Sequence, residues 1–393
     1  MPLWRHSKGA LVRQKINLMR EFSIPLIAGV LVALAWANLW PLSYHGLVEN
    51  HFIGSLSFHF VTNELFMVLF FGIAAVEITQ SCLPGGDLNP PRKAVNPLLA
   101  TLGGVIGPVV LYFGLNALFG DPSLTKGWGI PTATDIALAW LVARMVFGAS
   151  HPAVSFLLLL AVADDAIGLA IIAIFYPDPT VPTAPAWLFL TVLGMAASYL
   201  LRTMNVKSYW PYIIIGGGLS WTGLFLAHLH PALALVFIVP FLPHARREFM
   251  HLFEDDPRDR STLSTFEHEW KIFVDFGLFM FGLANAGVVF SGIGAATWLV
   301  LLSLLVGKTL GISAMGFLAK SLGFPLPERV GAKELVMIGI IAGIGLTVAL
   351  FVAGEAFTDP GIQGAAKMGA LLSGGIAFFA IALGRILKIE RID

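Results

Sequence analysis

Val154-Ser-Phe-Leu-Leu-Leu-Leu-Ala-Val-Ala-Asp-Asp-Ala-Ile-Gly-Leu-Ala-Ile-Ile-Ala-Ile-Phe-Tyr176 is an apolar run with two adjacent carboxylates, Asp164 and Asp165, at its centre. About 20 apolar residues carry a helix across a bilayer, so the run reads as a transmembrane helix. A carboxylate at mid-depth costs roughly 2.5–3.5 kcal/mol on insertion scales. Adjacent carboxylates also repel, so they cannot stabilise each other. A pair kept at that depth points to a cation or proton passing through it, and hence to an ion-coupled transporter.

The rest of the chain fits that reading. Of its 393 residues, 57% are hydrophobic and 12% are charged, against about 25% charged in soluble domains. The fold class is an all-α polytopic membrane protein. Formal net charge is zero, which gives no reason to expect a nucleic-acid partner. Cys82 is the only cysteine, so there is no disulfide framework and no cysteine-based metal site. No nucleotide-binding loop stands out, and no cofactor is expected. Gly103-Gly104 and Gly216-Gly217-Gly218 fall in apolar spans, where small residues let helices approach closely.

Reading windows between Gly, Pro and charged punctuation gives twelve candidate spans: 23–41, 58–77, 96–116, 128–146, 153–175, 185–201, 210–227, 231–243, 271–290, 295–318, 334–357 and 364–386. Basic residues enrich cytoplasmic loops. With twelve spans, 21 of the 24 Lys and Arg residues sort to one side. Lys126 and Lys367 fall on the other side, and Lys308 lies inside span ten. The chain thus reads as a cytoplasmic tail over 1–22, a transporter domain over 23–386 with a cytoplasmic loop at 243–270, and a second cytoplasmic tail over 387–393.

Intramembrane charges are few: Glu64 and Glu77 in span two, Asp135 in span four, the Asp164–Asp165 pair, Asp275 near the start of span nine, Lys308, and Glu355 near the end of span eleven. A structural role weighs as heavily as a functional one for Asp135, Glu64 and Glu77, and more heavily for Asp275 and Glu355. Span four contains Trp128-Gly-Ile-Pro-Thr-Ala-Thr-Asp-Ile-Ala137. Its proline removes a backbone donor, and polar side chains follow, as in a helix broken within the membrane. Span eleven has a second weak point at Ala342-Gly-Ile-Gly-Leu-Thr347. Paired interruptions mark transporter binding sites. Helix ends exposed at such breaks carry partial charges. Asp135 would offset facing N-terminal ends, and Lys308 would offset facing C-terminal ends or pair with an acid. Asp164, Asp165 and Thr134 form an oxygen-rich set suited to a hard monovalent cation such as Na⁺ or Li⁺. Protons and cation would compete for the same carboxylates. A sodium-coupled symporter of an organic solute, an intramembrane enzyme and a passive channel are the competing readings. The symporter needs a roomy cavity, and the enzyme needs acidic signatures that this chain lacks.

Gly127-Trp-Gly-Ile-Pro-Thr-Ala-Thr-Asp-Ile-Ala137, Ala163-Asp-Asp-Ala-Ile-Gly168, Gly307-Lys-Thr-Leu-Gly-Ile312 and Gly343-Ile-Gly-Leu-Thr347 resemble the motifs of the bacterial NhaA sodium/proton antiporters. Asn63-Glu-Leu-Phe-Met67, Ala284-Asn-Ala-Gly-Val288 and Trp221 with His230 are similar to family segments as well. The resemblance implies twelve transmembrane helices, with spans three to five and ten to twelve as inverted repeats and two crossed, discontinuous helices. It implies a secondary transporter rather than an enzyme. Electrogenic exchange of Na⁺ or Li⁺ for protons across the inner membrane would serve Na⁺ extrusion and pH homeostasis. Asp165 would be the main cation ligand and proton carrier, with Asp164 its partner and able to pair with Lys308, Thr134 a ligand, and Asp135 and Lys308 the dipole compensators. Glu64, Glu77, Glu267 and His268 are candidates for pH regulation or structural roles. Partners would be Na⁺ or Li⁺, protons, membrane lipid and a second copy in a homodimer. Against the family pattern, Glu64 replaces an aspartate and Ile78-Thr-Gln-Ser81 replaces a basic-acidic run. The segment from Ser43 to Ser57, where a dimerising hairpin is expected, is short.

Overall fold

A computed structural model describes residues 24–53, 56–83, 91–119, 121–177, 182–244 and 261–392. The expected tail over 1–22 and the middle of the loop, 245–260, lie outside the described residues. Helical runs coincide with the expected spans, spans four and eleven each falling on a broken pair. In chain order these are α1 (Ile24–Leu39), α2 (Phe58–Cys82), α3 (Pro91–Phe119), α4a (Pro122–Thr132) with α4b (Ile136–Phe147), α5 (Pro152–Phe175) and α6 (Pro185–Thr203). Then come α7 (Tyr212–Leu226), α8 (Pro231–Phe241), α9 (Thr262–Asn285), α10 (Ala295–Ser321), α11a (Ala332–Ala342) with α11b (Leu346–Ala356), and α12 (Pro360–Ile386). By length and composition, six of the described helices can cross a membrane, or up to eight if each bent pair is one span. α1, α7 and α8 are apolar but shorter.

The two interruptions expected from sequence are real breaks. α4a and α4b meet at 58°, and α11a and α11b at 47°. In α4 the last 3₁₀ turns end at Thr132, and Ala133 to Asp135 run extended. Pro131 lacks the amide hydrogen that would continue the helical ladder. In α11 the Gly343–Gly345 stretch lets backbone come close to Leu304 and Ala133.

α3 and α10 pack backbone to backbone. A Cβ on Gly103 would lie 2.1 Å from the Gly311 carbonyl oxygen, and one on Gly107 would lie 2.3 Å from that of Gly307. These two small-xxx-small pairs allow the contact. α10 also widens into a π turn over Ser303–Gly307, just ahead of Lys308. Close packing and the wide turn together carry the Lys308 side chain into the centre.

Several expected boundaries move. α9 begins at Thr262, inside the stretch read as a loop, because Ser261 caps it by accepting from Ser264 N–H and because Leu263 and Phe266 are buried. Asp275 therefore sits mid-helix rather than near its start. Lys367, read as a charge in a connection, is buried within the first half of α12. In the short segment before α2, His51–Ile53 and Leu56–Ser57 pair as a small antiparallel hairpin.

Candidate cation and proton site

Asp164 and Asp165 lie at the middle of α5, and successive residues on a helix point about 100° apart. The two carboxylates therefore meet different surroundings. Asp164 is fully buried, and its Oδ2 accepts from Lys308 Nζ at 2.6 Å and from Thr134 Oγ1 at 2.8 Å. Lys308 is also fully buried. It donates a second bond, 2.8 Å, to the carbonyl of Thr132, the last residue of α4a. The ammonium thus both pairs with an acid and meets the negative end of a broken helix.

Thr134 sits in the α4 break. Its hydroxyl is 2.8 Å from Asp164 Oδ2 and 2.8 Å from the Ala342 carbonyl at the end of α11a. One hydroxyl hydrogen faces two acceptors, so each bond forms at the other's expense. Asp135 caps α4b by accepting from Leu138 N–H at 3.1 Å, and its Oδ2 accepts from Thr347 Oγ1 at 3.0 Å in the first turn of α11b. The Asp135 amide donates to the Ile344 carbonyl at 2.7 Å. One carboxylate therefore faces two helix N-termini, which favours its negative charge.

Asp165 differs from all of these. Its Oδ1, like Asp164 Oδ1, is buried without a hydrogen-bond partner among the described residues, but no lysine pairs with Asp165 there. The residue lines a funnel of about 130 Å³ together with Thr134, Asp135 and Thr347. Glu77, Glu267, Lys271 and Asp275 line the same funnel. Gln80 donates to Glu267 Oε2 at 2.8 Å, so a neutral amide stands in the segment that departs from the family pattern. His268 is exposed and does not line the funnel.

Glu64 lies elsewhere. Ala232 N–H donates to its Oε2 at 3.3 Å, and its side chain is grouped with His230 and Glu355. Asn63, in a π turn over Val61–Phe66 that also carries Glu64, accepts from Asn285 Nδ2 at 2.8 Å, tying α2 to the end of α9. Sequence reasoning missed several contributors. The Thr132, Ala342 and Ile344 carbonyls carry no side-chain signal. Ser373, whose Oγ accepts from Gly345 N–H at 3.2 Å, sits in an apolar span and gave no sign of its role. Glu355 and His230 were each noted, but not as neighbours.

Comparison with known proteins adds to this geometry. A family model described as Na⁺/H⁺ antiporter 1 matches residues 14–385. A Na(+)/H(+) antiporter NhaA of Geobacter sulfurreducens is 75% identical over 381 residues, covering 97% of this chain and 100% of that protein. NhaA 1 of Pelobacter propionicus is 71% identical over the same shares. NhaA of Desulfitobacterium hafniense is 67% identical, covering 97% and 98%. Among solved structures, a sodium proton antiporter of Methanocaldococcus jannaschii, determined at pH 8, is similar in fold. Its TM-score is 0.50 at 16% identity, covering 95% of this chain and 98% of that one.

Proposed function

The chain belongs to the Na⁺/H⁺ antiporter 1 family, and on that premise we propose that it exchanges Na⁺ or Li⁺ for protons across the bacterial inner membrane, with Asp165 as carrier. Both termini face the cytoplasm in this reading, as the basic-residue distribution requires. The funnel with Glu77 and Glu267 then opens to the cytoplasmic side.

One observation carries the proposal. Asp164 is already matched through its Oδ2 by Lys308 and Thr134, whereas Asp165 has no ammonium or hydroxyl partner among the described residues and lines the funnel, its Oδ1 unmatched. A buried carboxylate oxygen without a partner calls for a proton or a cation. When Asp165 holds a proton it is neutral and needs no counterion. When it loses that proton, Na⁺ replaces it, with oxygens of Thr134 and Asp164 within reach as further ligands. In this reading Asp164 joins with both oxygens and gives up Lys308. A buried ammonium stripped of its counterion is costly, so that proton departs too. Two protons then move for one Na⁺, which makes the cycle electrogenic. Asp135 and the Lys308 contact with Thr132 hold the crossed helix ends through the exchange. A funnel of about 130 Å³ suits an ion and a few waters better than an organic solute, which weighs against the symporter reading.

Asp165→Asn keeps the shape and removes the exchangeable charge. We expect Na⁺- and Li⁺-driven dye dequenching in proteoliposomes to vanish, with the melting temperature retained. Transport at the wild-type rate in this variant would sink the proposal.

A further inference from the structure

α11b reaches the Asp165 funnel with Thr347 and, about 12 Å further along at 1.5 Å per residue, reaches with Glu355 a second cavity, lined also by Ala356 and Tyr176. That cavity has a volume of about 400 Å³. Beside it, one ligand atom each from Glu64, His230 and Glu355 lie within 4.8 Å of one another. None of the three is used in the exchange described above.

We propose that Glu64, His230 and Glu355 form a binding site for a divalent transition-metal cation, with Zn²⁺ the best fit. The His230 ring supplies the decisive geometry. It is 5% exposed, and its Nε2 is hydrogen-bonded to the Tyr176 carbonyl. A carbonyl can only accept, so Nε2 carries the hydrogen and the Nδ1 lone pair is left facing the carboxylates. Nδ1 is 3.8 Å from Glu355 Oε2, beyond a hydrogen bond. Metal-binding histidines commonly have this arrangement, with the far ring nitrogen anchored on a carbonyl and the near one aimed at the ion. Glu64 is similarly oriented by Ala232 N–H. One imidazole and two carboxylates make a three-ligand set of the type zinc accepts with a fourth, open position. The second cavity provides the path of entry. Hard cations such as Na⁺ prefer all-oxygen sites, so the imidazole selects against the transported ion.

The site joins α2, the turn before α8 and α11b, so bound metal would clamp three elements together. Lys367 works against it, because its buried ammonium interacts electrostatically with Glu355.

The test uses the full chain in detergent, titrated with Zn²⁺ by calorimetry and thermal shift. We expect binding with a raised melting temperature. Glu355→Gln and His230→Gln should each weaken it about tenfold or more, and Lys367→Met should tighten it. X-ray absorption at the zinc edge of the unmodified protein should report histidine with oxygen ligands, which covers the case where a variant fails to fold. Absence of zinc binding, unchanged affinity in both variants, or a sulfur ligand from the exposed Cys82 would overturn the assignment.

Discussion

The break in α4 is closed by side chains, whereas the break in α11 is closed largely by backbone. At α4, Thr134 and Asp135 reach out of the extended stretch, and Lys308 reaches in to the Thr132 carbonyl. At α11, the Ala342 and Ile344 carbonyls accept from Thr134 and from the Asp135 amide, and Gly345 N–H is held by Ser373. The α4 break thus supplies charge and selective chemistry. The α11 break supplies fixed dipoles and close approach. A carrier that must exchange a proton for a cation needs both, since ionisable groups move charge and rigid dipoles hold the ends while it moves.

The largest expected effect tests the side-chain half of this contrast. Lys308→Ala removes the partner of a fully buried Asp164 and uncovers the Thr132 carbonyl. Breaking one half of a buried pair costs roughly 3–5 kcal/mol, so the melting temperature should fall steeply. Lys367→Met is the counterpart. Lys367 is buried too, yet no hydrogen bond to its ammonium is present among the described residues. Replacing such a cation by an apolar side chain is neutral or stabilising. Equal losses in the two variants would erase the distinction between a built pair and an incidental buried charge.

The backbone half is tested at Gly345. An added Cβ would lie 2.8 Å from Leu304 Cδ2 and 3.0 Å from the Ala133 carbonyl oxygen. Gly345→Ala should therefore cost about 1–3 kcal/mol through overpacking, read as a lower denaturation midpoint. Gly218, where an added Cβ meets nothing within 4 Å, is the control position. A tolerated Gly345→Ala would mean that the α11 break has slack and does not fix the dipoles.

Much of this site was legible in the sequence, because its signals are local. Two acids in an apolar run, Pro131 followed by Thr and Asp, paired glycines in α11 and a single lysine within span ten as read from sequence each stand out from their neighbours. That Asp164 is the acid that meets Lys308 was implied by the family resemblance and is what the structure shows, but no local signal carried it. It depends on helical phase, and on α3 and α10 packing through Gly103, Gly107, Gly307 and Gly311. The neighbourhood of His230, Glu64 and Glu355 was hidden for a similar reason. These residues belong to separate elements whose convergence is tertiary. Lys367 was misread because a lysine close to the start of a span looks like a loop charge, while the helix actually starts at Pro360.

A smaller effect probes the join between the breaks. Thr347 Oγ1 donates to Asp135 Oδ2 and is the one side chain that α11b contributes to that carboxylate. Thr347→Val keeps the shape and removes a single hydrogen bond, at about 1 kcal/mol. Double substitution with Asp135→Asn should cost less than the sum of the two single changes, because both act on one contact. Strict additivity in chemical denaturation would place the coupling of the two breaks elsewhere.

The smallest effect lies outside both breaks, at the cap of the helix that carries the acids. His151 caps α5, its Nδ1 accepting from Ala153 N–H at 3.0 Å, which requires the neutral ring. Burial holds this imidazole below its ordinary value of 6.5. The unfolded chain therefore binds a proton at higher pH than the folded one does. Stability from this group is full above about pH 6.5 and is lost as pH falls toward the depressed folded value. His151→Asn retains a cap acceptor without that titration. The variant should show a flatter melting temperature as pH falls below about 6.5 and little change at pH 8. An unaltered acid slope would assign the sensitivity to the breaks themselves, and would make charge compensation at α4, rather than the cap of α5, the acid-labile part of the fold.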